Sequence, residues 1–210
     1  YKEDWNKFID FSKNSTFLFN RDFMDYHSDR FKDHSLLVYN NNDLVAIFPL
    51  NINDGIVYSH QGLTYGGLIV KNDIKFVKFL ELFIYILKYL NKKSIDKLFI
   101  KQIPLIYNSN FNGELDYLSF LTGAKIYRRD IISVIDMQNE NKISKDRIQG
   151  YKRGVKNKLE IKETDDLDDF WNSILIPTLS NRHSVNPVHS LKDIKKLKRV
   201  FNTNIKQFNV

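Results

Sequence analysis

The chain has 210 residues, 42% hydrophobic and 14% aromatic, and carries a formal net charge of +7. That is enough for one sizeable core or two small ones, and it fits an ordinary globular composition. The absence of cysteine excludes a disulfide framework and a thiolate metal site, and it fits a reducing, cytoplasmic location.

"EDWNKFIDFSKN" sets Trp5, Phe8, Ile9 and Ser12 at helical spacing, which predicts a helix over about 3–13. A short helix follows near "RDFMDYHSDRF". "SLLVYN" and "LVAIFPLNI" have strand character and are joined by "NNND", a hairpin connection. "GIVYSH" and "YGGLIV" make a third strand region, interrupted by glycines. Phe76, Phe79, Leu80, Phe83, Leu87 and Leu90 form the apolar stripe of a helix over roughly 74–92. Lys78, Glu81 and Lys88 in that helix make it no membrane span. "KLFIKQI" reads as a buried strand and "ELDYLSFLTG" as a helix closed by Gly123. "AKIYRRD" and "IISVIDM" read as two further strands. The order is mixed α+β, without the strict alternation of a doubly wound sheet.

The polar run "QNENKISKD" reads as a linker, after which the pattern restarts. "DDFWNSILIPTLSNRH" and "SLKDIKKLKRVF" are helices, and "NIKQFNV" opens a strand. Trp171-Asn172 sits in its helix as Trp5-Asn6 does in the first, and the element order is repeated. The second set holds only one strand. A strand without a partner leaves its backbone groups unpaired, so the natural protein is expected to continue past Val210.

Three stretches carry candidate chemistry. In "SHQGLTYGGLIV", glycines in a strand fit a β-bulge, and they equally fit a wall on which a ligand lies against the backbone. In the second reading Gly66 and Gly67 line a cleft, with His60, Gln61 and Tyr65 facing the substrate. His60 titrates near neutrality and Tyr65 donates a hydrogen bond, which makes these two the candidate catalytic groups. In "KDRIQGYKRGVKNKLE", a helical stripe of Ile148, Tyr151, Val155 and Leu159 has Lys145, Lys152 and Lys156 beside it. Gly150 and Gly154, one turn apart, suggest close approach by a helix or a phosphate. The basic residues are either a solvated face or an anion clamp of Lys152, Arg153 and Lys156. In "SNRHSVNPVHS", Arg182, His183, Asn186 and His189 lie on one loop suited to an acceptor or its phosphate. Two histidines without a third ligand argue against zinc. Ser190 followed by Asp193 is a helix N-cap signal.

The stretches "FLFNRDFMDYHSDRF", "SHQGLTYGGLIV", "YKRGVKNKLEI" and "SNRHSVNPVHSLKDIKKL" resemble the GNAT-type acyltransferases related to the Fem peptidoglycan aminoacyltransferases, above all members from surface-polysaccharide gene clusters. The resemblance implies a GNAT-like central mixed sheet flanked by helices over residues 1–137. Residues 143–210 would be an incomplete second GNAT-like unit of two to three helices and one strand. It implies transfer of an acyl or aminoacyl group to an amine of a nucleotide-linked sugar or cell-envelope precursor. The donor would be acyl-CoA, acetyl-CoA foremost, or aminoacyl-tRNA, with no metal. Nucleic acid would be a partner only through an aminoacyl-tRNA. One departure stands out. The loop "VKNDIKF" before the long helix lacks the glycines with which GNAT enzymes hold the coenzyme A pyrophosphate at a helix N-terminus. The donor loop is therefore expected in the second half, past Val210, and this chain is expected to be inactive alone. The alternative is a nucleic-acid-binding or non-catalytic interaction module on the same scaffold, suggested by the charge and by aromatics among basic residues near Tyr127, Arg128, Arg129 and Tyr151.

Overall fold

The computed structural model describes residues 1–109 and 113–210, and the chain divides into two compact units, Tyr1–Lys125 and Ile126–Val210. The architecture is mixed α+β, with a mixed sheet flanked by helices in the first unit.

One long antiparallel hairpin organises the first unit. β1 (Lys32–Asp33) and β2 (Leu36–Asn40) form one arm, β3 (Asp43–Phe48) and β4 (Asn51–Asn53) the other. The pairs Lys32–Ile52, Asp33–Asn51, Leu36–Phe48 and Leu37–Ile47 keep one register, which shifts only at a bulge between Val38 and Tyr39. Pro49 interrupts the ladder, because it has no N–H to donate. The Ser35 hydroxyl spans the gap, accepting from the Leu50 N–H at 3.2 Å while donating to Asp33 Oδ1 at 2.6 Å. From this break two sheets diverge. β6 (Ile69–Val70) joins β3 in the order β2-β3-β6, while β5 (Ile56–Tyr58) and β7 (Leu98–Phe99) extend β4 in the order β1-β4-β5-β7. β5 and β7 are parallel. Asp54 and Gly55, at φ 49° and 74°, make the two-residue turn from β4 to β5, as Asp-Gly favours.

Side-chain alternation along β3 and β6 builds two cores. Ile47 and Ile69 pack with Trp5, Phe8 and Ile9 of α1 (Lys2–Asp10) and with Phe19 and Met24, the latter in α2 (Arg21–Met24). Ala46, Phe48, Leu68 and Val70 pack with Phe79, Phe83 and Ile86 of α3 (Phe76–Lys92). The Asn14 amide covers the edge of β6, donating to the Leu68 carbonyl at 2.9 Å and accepting from the Val70 N–H at 3.0 Å. A buried ion pair joins Lys13 to Glu114 at the start of α4 (Glu114–Leu121), which Gly123 closes at φ 66°.

The structure departs from the sequence reading in several places. "AKIYRRD" and "IISVIDM" form no strand and are exposed, Ile131 at 98%. Alternating apolar residues mark a capacity to pair, but a strand exists only where another strand completes its ladder. The boundary between the units falls after Lys125. "KLFIKQI" is only half-buried, with Leu98 and Phe99 in the ladder and Gln102 in an isolated bridge to Gly66.

In the second unit, α5 (Lys145–Lys156) precedes β8 (Lys162–Thr164), then α6 (Ile176–His183), α7 (Leu191–Val200) and β9 (Gln207–Asn209). β9 is not alone. It pairs antiparallel with β8, Glu163 opposite Phe208. "KET" escapes notice because it is short and polar. Leu167, Trp171, Leu197 and Phe201 are the buried apolar residues among those described in this unit. A π-helical segment, Phe170–Leu175, leads into α6, whose first turn holds Pro177. The missing proline N–H breaks the ordinary ladder there, and the wider turn accommodates the break. The cap at Ser190 is a full capping box with Asp193.

Candidate functional site

The glycine-rich stretch is an excursion from a strand. Between the pairs Tyr58–Asn51 and Ile69–Ile47, ten residues, Ser59 to Leu68, stand opposite three, Phe48 to Leu50. The surplus leaves the sheet as a loop with a pinched neck, an Ω-loop in form. Lys101 makes the neck. Its N–H donates to the Ser59 Oγ at 2.8 Å, its carbonyl accepts from the Gly66 N–H at 2.6 Å, and its Nζ donates to the Leu63 carbonyl inside the loop. Burial lowers the pKa of that ammonium.

The glycines serve this packing. A Cβ on Gly66 would lie 2.2 Å from the Ser59 carbonyl oxygen, and one on Gly62 would lie 2.2 Å from His27 Nε2 and 2.7 Å from Phe31 Cε2. Gly67 takes φ +120°, which L side chains avoid. The cleft wall expected at Gly66 and Gly67 is thus filled by the protein itself, and both glycines are buried.

His60 and Tyr65 do not face a cleft either. His60 is 3% exposed, in the left-handed region at φ 63°, and stacks on the buried His27 ring with centroids 5.3 Å apart. Phe31 meets both rings, with centroids 5.0 Å from His27 and 5.8 Å from His60. Burial, then the neighbouring His27, push the His60 pKa down to about 4, against the attraction of Asp33. An imidazole enclosed in this way presents no open face to a substrate. Tyr65 is 8% exposed, donates to Thr16 Oγ1 at 3.1 Å, and packs against Phe19 and Tyr107; burial raises its pKa. Both residues hold the loop in place, so neither keeps its candidacy as a catalytic group.

Gln61 is the exception. It is exposed on the rim, and Asn51 fixes it from both ends. The Gln61 N–H donates to Asn51 Oδ1 at 2.7 Å, and Asn51 Nδ2 donates to Gln61 Oε1 at 2.8 Å. The two line an open depression of about 820 Å³, together with Arg30, Phe31, Lys32 and Asp54. Behind it, Arg21 bridges Asp25 at 2.5 Å and Asp33 at 3.2 Å. Burial opposes charge on Asp33, but hydrogen bonds from Ser35 and Arg21 outweigh it and hold the carboxyl below its ordinary pKa. Asn51, Arg30 and Lys101 escaped the sequence reading. The one available signal was a polar or charged residue inside an apolar run, as with Lys101 in "KLFIKQI" and Asn51 in "IFPLNI".

In the second unit, Lys152, Arg153 and Lys156 are exposed on α5. The space around Gly150 is open, and Gly154 meets only its own Leu159 at 3.8 Å, so no close approach explains either glycine. Arg182 and His183 end α6, which Ser184 caps at φ 53°, and Asn186 and His189 follow on the connecting loop. Arg182, His183 and Asn186 are exposed and His189 is half-buried. Among the described residues no three His, Asp or Glu side chains gather as a metal site, and no helix is long and apolar enough to cross a membrane.

No family model, no curated protein and no solved structure matches this chain.

Proposed function

We propose that this protein is an N-acyltransferase that moves an acyl or aminoacyl group onto an amine of a nucleotide-linked sugar or cell-envelope precursor, and that the first unit holds the acceptor. The observation that carries this reading is the rim of the Ω-loop. The Gln61 amide is presented to solvent in one orientation, set by Asn51, beside Arg30, Lys32 and the Phe31 ring. A guanidinium and an ammonium suit a pyrophosphate, and the Asp29 and Asp54 carboxylates on the same lining suit the acceptor amine. An aromatic ring suits the face of a base or sugar, and a fixed amide reads hydroxyl or acetamido groups. The transfer chemistry rests on the likeness of the quoted stretches to GNAT-type enzymes, with acyl-CoA or aminoacyl-tRNA as donor. In that reaction the acceptor amine forms a C–N bond, the thioester or ester bond of the donor breaks, and the amine proton passes to a base. His60 is not that base.

Calorimetry with a uridine-diphosphate amino sugar, and mass spectrometry of the sugar after incubation with acetyl-CoA or aminoacyl-tRNA, test the reading. Saturable binding that Arg30→Ala with Gln61→Ala abolishes is the expected result. N-acylated sugar would establish the enzyme, whereas binding without transfer would make this a non-catalytic module. Failure to bind any nucleotide-linked sugar would overturn the acceptor site.

A further inference from the structure

α5 is a helix whose apolar side and basic flanks are both turned to water. Tyr151 is 73% exposed and Val155 58%, with Ile148 also exposed. The helix holds five cations, Lys145, Arg147, Lys152, Arg153 and Lys156, against one acid, Asp146. Among the described residues none of these five is in an ion pair, although the chain forms many elsewhere.

The angular arrangement narrows the choice of partner. At about 100° per residue, Ile148, Tyr151 and Val155 fall within roughly 60° of one another. Lys145, Lys152 and Lys156 border that stripe on one side and Arg147 on the other, while Asp146 and Arg153 lie on the far face. A helix that packs on a protein core places its charges opposite the apolar stripe. Here the charges flank it. That geometry suits a surface that is apolar in its depth and anionic at its boundary, where lysine stems lie along the apolar zone and their heads reach phosphates. RNA would use the cations and Tyr151 but would gain nothing from Ile148 and Val155.

We infer that α5 is an interfacial helix that docks this protein on a membrane surface carrying anionic lipid, with Ile148, Tyr151 and Val155 entering the headgroup boundary and Lys145, Arg147, Lys152 and Lys156 meeting lipid phosphates. The site is independent of the acceptor depression. It would bring an enzyme of envelope precursors to the surface where they are used.

The test is co-sedimentation of the 210-residue protein with phosphatidylcholine vesicles, with and without phosphatidylglycerol, and with an RNA homopolymer as competitor. Binding is expected to anionic vesicles only and to weaken with salt. Lys152→Gln with Lys156→Gln is expected to lower partitioning roughly 25-fold, at about fivefold per cation. Ile148→Ser with Val155→Ser is expected to lower it about tenfold while leaving the salt dependence unchanged. Tyr151→Trp adds a local readout, a blue shift of fluorescence on vesicle binding. All the substituted side chains are exposed, so circular dichroism should match the parent. Equal binding to neutral and anionic vesicles, binding to neither, full retention in both double variants, or capture by RNA in place of vesicles would each overturn the inference.

Discussion

Acidification from pH 7 to pH 5 should destabilise the first unit, and His60 gives the amount. Its ring is almost wholly buried against His27 and Phe31, and its pKa is lowered from 6.5 to about 4, by burial first and by His27 second. The unfolded chain takes up a proton on this residue near pH 6.5, while the folded protein holds none until near pH 4. Between those values the unfolded state binds more protons, so stability falls as the pH drops. Linkage gives a loss of about 2 kcal/mol at pH 5 and about 3 kcal/mol at pH 4, with almost none at pH 7. The control is His60→Asn, because asparagine tolerates the left-handed φ of 63° that this position requires. Urea unfolding at pH 7, 6 and 5, followed through NMR intensities of first-unit amides, supplies the comparison. Carboxylates remote from His60 titrate in both proteins and cancel in the difference. The parent should lose about 2 kcal/mol more than the variant between pH 7 and 5. Equal losses in the two proteins would refute a buried, neutral His60.

Other expectations separate packing from function. Gly62→Ala places a methyl against the buried His27 and Phe31 rings, and overpacking there should cost about 1–3 kcal/mol in urea unfolding. An unchanged midpoint would mean that the rings yield freely. Lys101→Met keeps the backbone hydrogen bonds of the loop neck but removes the ammonium from the Leu63 carbonyl. Faster hydrogen exchange at Leu63 and Gly66, with the helices unaffected, is the expected signature. Gly150→Ala meets open space and should stabilise α5 by about 1 kcal/mol, seen as increased helicity by circular dichroism. A loss of helicity would reveal a contact at that face.

Local patterns in the sequence carried much of the fold. The α3 stripe, the Gly123 stop and the Ser190–Asp193 cap each depend on residues a few positions apart, and each was legible. Elements that depend on distant partners were not. "IISVIDM" has the alternation of a strand but no ladder to join, whereas "KET" lacks that alternation and pairs with β9. The candidate site divides in the same way. "SHQGLTYGG" is visibly a place where backbone needs room, but the sequence does not say what fills it. His27 and Phe31 fill it at Gly62 and Ser59 at Gly66. The partners lie far off in the chain, 35 residues for His27 with Gly62 and 42 for Lys101, which pinches the neck, with Ser59. Residue type alone made His60 and Tyr65 look catalytic, and burial decided otherwise. Of that group Gln61 alone remains on the surface, and its position is set by an asparagine ten residues away.

The acceptor site itself is most directly examined by an NMR titration of the isotope-labelled 210-residue chain with a uridine-diphosphate amino sugar. Shifts should concentrate at the Gln61 and Asn51 side-chain amides and at the backbone of Arg30, Phe31 and Lys32, and they should vanish in Gln61→Ala with Arg30→Ala. Shifts centred elsewhere, or none at saturating sugar nucleotide, would contradict the placement of the acceptor on the rim of the Ω-loop.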